Sequence, residues 1–149
     1  MPGTPDAITT VLGFDYGARR IGVAVGNALT GSARALEVIT NGTQGPDWTR
    51  VAGLVREWRP QVLLVGLPLT MDGEEQKNSA AARAFAVQLK ERFNLPANLI
   101  DERLSSVEAA QRFAQRRAGG SARRKHAQAL DSIAAEVIVE QWLRDSGFQ

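Results

Sequence analysis

The sequence predicts an α/β domain with a five-stranded mixed sheet: a three-strand antiparallel meander, two parallel strands, and about four flanking helices. Three observations carry this expectation. Two β-branched, apolar runs lie on either side of a glycine turn near the start of the chain, as in a strand-turn-strand unit. Residues 61–67 (QVLLVGL) form a continuous apolar run, the pattern of a central parallel strand covered on both faces. The later strands alternate with stretches of helical periodicity.

Each element follows in order. Residues 11–14 are the first strand, ending on Asp15; Tyr16-Gly17-Ala18 turns the chain, and Arg19 and Arg20 precede a second strand over 21–25. Residues 33–39 (ARALEVI) make the third, and 41–46 is a turn-rich loop. Trp48, Val51, Ala52, Val55 and Trp58 share one helical face, and Pro60 stops that helix. After the 61–67 strand, residues 68–73 (PLTMDG) carry an Asp-Gly turn. A helix over about 75–93 stacks Ala81, Phe85, Leu89 and Phe93, and Pro96 ends it before a fifth strand at 97–102 (ANLIDE). Ser105 and Glu108 fit a capping box that starts a helix running to about residue 117. Gly119-Gly120-Ser121 is a break, and 127–143 is the last helix. This order matches a ribonuclease H-like layout.

The bulk numbers narrow the classes. A chain of 149 residues, 44% hydrophobic and 23% charged, is expected to be one domain (1–149), with 1–9 and 144–149 as loose termini. The net charge is only +2, but the pI near 9.5 permits an anionic partner. The chain has no cysteine, which excludes disulfide scaffolds, thiolate-zinc sites and thiol catalysis. No signal pattern opens the sequence and its apolar runs are too short for a bilayer, so a cytoplasmic protein without membrane association is expected.

The chemistry lies in acids placed where a core is expected. Asp15 ends the first strand, Asp101 and Glu102 end the fifth, and Asp131 lies in the last helix on a stripe with Ala135, Ile138 and Trp142. A buried unpaired carboxylate costs several kcal/mol, so these groups need partners. Three acids from separate elements can converge at one sheet edge and hold hard divalent cations such as Mg²⁺ or Mn²⁺. Two such ions ~4 Å apart stabilise both the attacking and the leaving oxygen of a phosphodiester displacement. Each acid also has a plain reading: Asp131 complementing a helix dipole, Asp101 and Glu102 forming a solvated strand end with Arg103, Asp15 pairing with Arg20. Their coincidence favours the metal site. Successive strand side chains face opposite ways, so only one of Asp101 and Glu102 joins Asp15; Glu102, with the longer arm, is favoured and Asp101 is the alternative.

A basic stretch accompanies the acids. Between Glu108 and Asp131 no acid occurs, while Arg112, Arg116, Arg117, Arg123, Arg124 and Lys125 do. Such a run is either a solvated face or a phosphate grip that binds with strong salt dependence. His126, the single histidine, is read as structural.

The motif Gly13-x-Asp15-x-Gly17-x-Arg19-Arg20-Ile21-Gly22 resembles the opening of the YqgF/RuvX family of bacterial ribonuclease H-like proteins. So do Val65-Gly66-Leu67-Pro68 with Asp72-Gly73, the stretch 101–109 (DERLSSVEA), and Lys125 with Asp131-Ser132-x-Ala134-Ala135. The resemblance implies a metal-dependent nuclease that matures the 5′ end of pre-16S ribosomal RNA in ribosome biogenesis, with Asp15, an acid of the 101–103 motif and Asp131 as catalytic metal positions. The family also looks like the RuvC resolvases, which implies the alternative of cutting Holliday junctions. Those enzymes carry a further acid on the strand matching 62–67 and a second Asp in the last helix, where this chain has none and Ala134.

The leading expectation is therefore an Mg²⁺- or Mn²⁺-dependent hydrolase of RNA. Arg19, Arg20, Arg103, Arg116, Arg117, Arg123, Arg124 and Lys125 are its nucleic-acid-binding candidates. Its expected partners are pre-rRNA or another structured nucleic acid and the assembling small ribosomal subunit, with the oligomeric state, monomer or dimer, left open. A non-catalytic RNA-binding assembly factor is the second reading. The Gly13–Gly17 hairpin also looks like that of actin-like sugar kinases, which need a far longer chain, and no Walker A pattern supports an NTPase.

Overall fold

The computed structural model describes residues 10–68, 77–101, 111–112, 114–115 and 126–145. Six strands form one mixed sheet in the order β4-β3-β2-β1-β5-β6. They are β1 (Thr10–Tyr16), β2 (Arg20–Asn27), β3 (Ser32–Gly42), β4 (Gly45–Pro46), β5 (Val62–Leu67) and β6 (Ala97–Asp101). β1, β2 and β3 are the expected antiparallel meander, and β5 and β6 extend the sheet from β1 in parallel. The sixth strand departs from the expected five. Gly45 and Pro46 fold back on Gly42 and Asn41 inside the segment read as a loop. Two residues, one of them lacking an N–H, carry no strand periodicity to read.

Three helices cover the sheet among the described residues: α1 (Trp48–Trp58), α2 (Lys77–Phe93) and α3 (His126–Asp145). Residues 111–112 and 114–115 are helical, while the capping box at 105 and the loop 69–76 lie outside the described residues. Asp47 caps α1 by accepting from the Arg50 N–H, and the helix ends before Pro60 with Arg59 in the left-handed region (φ 49°). No helix of the described residues is long and apolar enough to cross a membrane.

Strand alternation sorts the core into two layers. On one face Leu12, Phe14, Ile21, Val23, Leu63 and Val65 pack with Val51 and Leu54 of α1 and Ala82, Phe85, Ala86 and Leu89 of α2. Leu54 and Ala82 were absent from the expected stripes; α1 is rotated towards Leu54, and Ala81 is only half-buried beside the buried Ala82. On the other face Val11, Ala24, Val62 and Leu64 meet Ala135, Ile138, Val139 and Leu143 of α3.

That second layer is unusually close. A Cβ on Gly13 would stand 2.3 Å from Val139 Cγ2, and one on Gly26 2.3 Å from Val139 Cγ1. At Gly22 the obstacle is backbone: the Asp131 carbonyl oxygen would be 2.0 Å away. Three glycines thus strip the meander of side chains along the line where α3 lies, and no bulkier residue lets the helix sit so low.

Candidate active site

Packing on one face sets the direction of Asp15 on the other. Phe14 and Tyr16, its neighbours in β1, both meet the Phe85 ring, with centroids 5.5 and 5.1 Å apart. Asp15 therefore shares the face of Val11 and Gly13, under α3. Its cross-strand partner is Gly22, the residue on which the Asp131 backbone rests. Asp15 and the Asp131 backbone thus both neighbour Gly22 on the α3 face of the sheet, which brings two acids 116 positions apart in the chain to the same stretch of the molecule.

The third acid has a clear parity. In β6, Ala97 and Leu99 pack towards α1 and α2, and Ile100 packs towards α3. Asp101 continues the Ala97-Leu99 row, on the face opposite Asp15, and is exposed. Glu102 lies outside the described residues, as do Arg103, Arg116, Arg117, Arg123, Arg124 and Lys125. Among the described residues no group of three or more acidic, histidine or cysteine side chains is gathered for a metal. The pair Asp15 and Asp131 supplies hard anionic oxygen donors, the set that suits Mg²⁺ or Mn²⁺ rather than a soft metal.

Arg20 is the ion-pair partner of Asp131. Its Nε donates to Asp131 Oδ2 at 2.8 Å, so this guanidinium reaches across from β2 to the helix. Gly17, Ala18, Arg19, Arg20 and Asp131 line a surface pocket of about 330 Å³. A second pocket, of about 260 Å³, lies at the far end of β1 and β2 beside Thr10, Asn27, Arg34 and Trp58; no acid lines it. The acidic, arginine-bordered pocket is the one with chemistry.

Two positioning residues carried no signal in the sequence. Asn41, 5% exposed, donates from Nδ2 to the Gly17 carbonyl at 2.7 Å, and its backbone N–H donates to the Arg19 carbonyl at 2.9 Å. It rivets the β1–β2 turn from β3, though an Asn-Gly pair reads simply as a turn. Glu136, 6% exposed, accepts from the Ala35 N–H where the β2–β3 register shifts, and it also pairs with Arg112.

Arg112 corrects the reading of the basic run. Its guanidinium bridges Glu136 and Glu140 of α3, at 2.5 and 2.9 Å, so it braces the helix instead of facing phosphate. The hydrogen bond to Glu140, with that to Glu136, raises its pKa further above the ordinary arginine value, against the lowering effect of burial. His126 is the first residue of α3.

The profile of the RuvX family, described as "Holliday junction resolvase", matches residues 9–145. A protein of Xanthomonas campestris pv. campestris (strain B100) named "Putative pre-16S rRNA nuclease" is 59% identical over 139 residues, covering 93% of this chain and 88% of its own. A protein of the same name from Xanthomonas oryzae pv. oryzae (strain PXO99A) is 60% identical over 134 residues, covering 90% and 86%. Among solved structures, RuvC of T. thermophilus in complex with a Holliday junction substrate aligns with TM-score 0.55 at 19% identity, over 94% of this chain and 97% of that one. The Fowlpox virus resolvase in complex with Holliday junction DNA aligns with TM-score 0.58 at 11% identity, over 93% and 99%. At such identities the structural likeness speaks for the fold alone.

Proposed function

The chain belongs to the RuvX family, and from that premise we propose that it is a divalent-metal-dependent nuclease hydrolysing RNA phosphodiester bonds in 5′-end maturation of pre-16S rRNA. The observation that carries the site is the seat of Asp131 on Gly22, the cross-strand partner of Asp15. The names of the 59–60% identical relatives support RNA as the substrate.

Asp15 and Asp131 would hold Mg²⁺ or Mn²⁺, and strand parity favours Glu102 over Asp101 as the third ligand. When bound, the ion supplies charge neutralisation at the phosphodiester and a more acidic water. The chain's own residues do the rest. Asp15 is fixed by the packed rings of Phe14, Tyr16 and Phe85 behind it, and Asp131 by the helix backbone on Gly22. Arg19 and Arg20 border the pocket as donors for phosphate oxygens, with Arg103, Arg116, Arg117, Arg123, Arg124 and Lys125 as the grip on flanking phosphates.

The family description favours one second reading, cleavage of Holliday junctions. Both substrates present the same phosphates, but a junction resolvase needs a symmetric dimer and an RNA processor does not. The test is cleavage of matched RNA and four-way DNA substrates in Mg²⁺ or Mn²⁺, together with the solution mass. RNA cleavage that falls at least a thousandfold in Asp15→Asn is the expected result. Full activity of purified, folded Asp15→Asn sinks the assignment, as does metal-independent RNA binding without cleavage in any ion, which is the behaviour of an assembly factor.

A further inference from the structure

Arg20 has two demands on one guanidinium. Its Nε holds Asp131 Oδ2 at 2.8 Å, in a pair whose side chains are 42% and 26% exposed. The two terminal amines, the fork that binds phosphate bidentately, meet no acceptor among the described residues. Arg20 lines the pocket together with Gly17, Ala18, Arg19 and Asp131. The backbone beneath is held by Asn41 at the Gly17 and Arg19 carbonyls. The side chain is therefore the part free to rearrange.

Arg20 and a divalent cation compete for the same carboxylate. A cation at Asp131 takes up the charge that Arg20 now neutralises and repels the guanidinium beside it. We infer that Arg20 is a displaceable counterion: it keeps Asp131 paired until the cation arrives, and the released guanidinium then turns its fork to a substrate phosphate. This rests on the nuclease reading and gives it an order, cation first and phosphodiester second. Arg20 is the positioning residue that couples the two. Because coupling between sites is reciprocal, bound RNA also tightens the cation.

The test separates this role from two simpler ones. Mn²⁺ binding is titrated by the loss of the free-ion electron paramagnetic resonance signal, for wild type, Arg20→Ala and Arg20→Lys without RNA. Arg20→Ala is expected to bind Mn²⁺ about two- to fivefold tighter, the range of a partly exposed ion pair. Arg20→Lys, which keeps a competing point charge, is expected to stay near wild type. Anisotropy of a short labelled phosphorothioate RNA then reads affinity in EDTA and in Mn²⁺. The loss in Arg20→Ala is expected to be under twofold in EDTA and about five- to tenfold in Mn²⁺. Arg20→Lys, lacking the fork, is expected to lose most of the same metal-dependent gain.

Weaker Mn²⁺ binding by Arg20→Ala means that Arg20 merely orients Asp131, and overturns the inference. Equal loss of RNA affinity with and without Mn²⁺ means an ordinary phosphate contact, and overturns it too. If neither variant folds, wild type decides: its RNA affinity must rise at least fivefold with Mn²⁺. Failure of the nuclease reading looks different, because wild type then binds no Mn²⁺ or Asp15→Asn binds it equally well; either result removes the inference with its premise.

Discussion

Gly22 is as much a part of the site as the acids beside it. Its missing side chain is the space the Asp131 carbonyl occupies, and a methyl group there would meet backbone that can yield only if α3 moves. Gly22→Ala is expected to destabilise the protein by about 1–3 kcal/mol through overpacking. For a chain of this size that is a fall in Tm of roughly 3–10 °C, readable by calorimetry. It is also expected to lower cleavage more than stability, because the displaced residue is Asp131; a variant that loses stability but keeps full activity contradicts the placement. The acids themselves were legible in the sequence, since Asp15 and Asp131 each interrupt an apolar pattern with a charge. The reason for Gly22 was not. A glycine in a strand announces a close approach but does not say what approaches. The Arg20–Asp131 pair was hidden for a related reason, since no local pattern links side chains 111 residues apart.

Among the elements, α3 is held from two sides. Ala135, Ile138, Val139 and Leu143 seat it on the sheet, and Arg112 ties Glu136 and Glu140 from the helical pair 111–112. Glu136 also satisfies the Ala35 N–H, so one side chain serves a β-strand irregularity and a helix brace together. Arg112→Met removes the cation and strands two carboxylates, one of them 7% exposed. The expected cost is about 2 kcal/mol, between that of a surface pair and that of a fully buried one. Adding Glu136→Gln is expected to restore part of it, since the more buried of the two stranded charges is then gone; urea melts of the single and double variants measure both. Neither reading of the basic run, solvated face or phosphate grip, fits Arg112, because composition counts charges without showing that acids of the next helix already face one of them. Helix and strand identities were otherwise readable from periodicity, and the two-residue β4 was not, because so short an element has no period.

At the scale of the molecule, three layers put the acids on the α3 side of the sheet while α1 and α2 close the other. The parallel pairing of β5 and β6 with β1 follows from strands alternating with helices, so the architecture was the most legible level of all. A pocket bordered by Arg19 and Arg20 in a chain of net charge +2 implies that RNA affinity comes from local charge more than from the overall field. Single-strand binding should weaken linearly with the logarithm of salt, and Arg19→Ala should lower that slope by about 0.7, one released counterion's worth. Titrations of wild type and variant over a series of salt concentrations read the difference; an unchanged slope removes Arg19 from the interface.

The site is also discontinuous in time. Asp15 belongs to a meander whose three strands pair with one another locally, with β5 joining β1 later in the chain, and Asp131 to the last described helix. During synthesis the first emerges while the second is still unmade, since chains are translated from the N-terminus at about 5–20 residues per second. A growing chain on the ribosome therefore carries Asp15 and four of the five pocket residues, Gly17 to Arg20, before Asp131 is made. On the proposed site, then, the two acids meet only when α3 settles onto Gly13, Gly22 and Gly26, and hydrolysis is expected to wait for that last packing step.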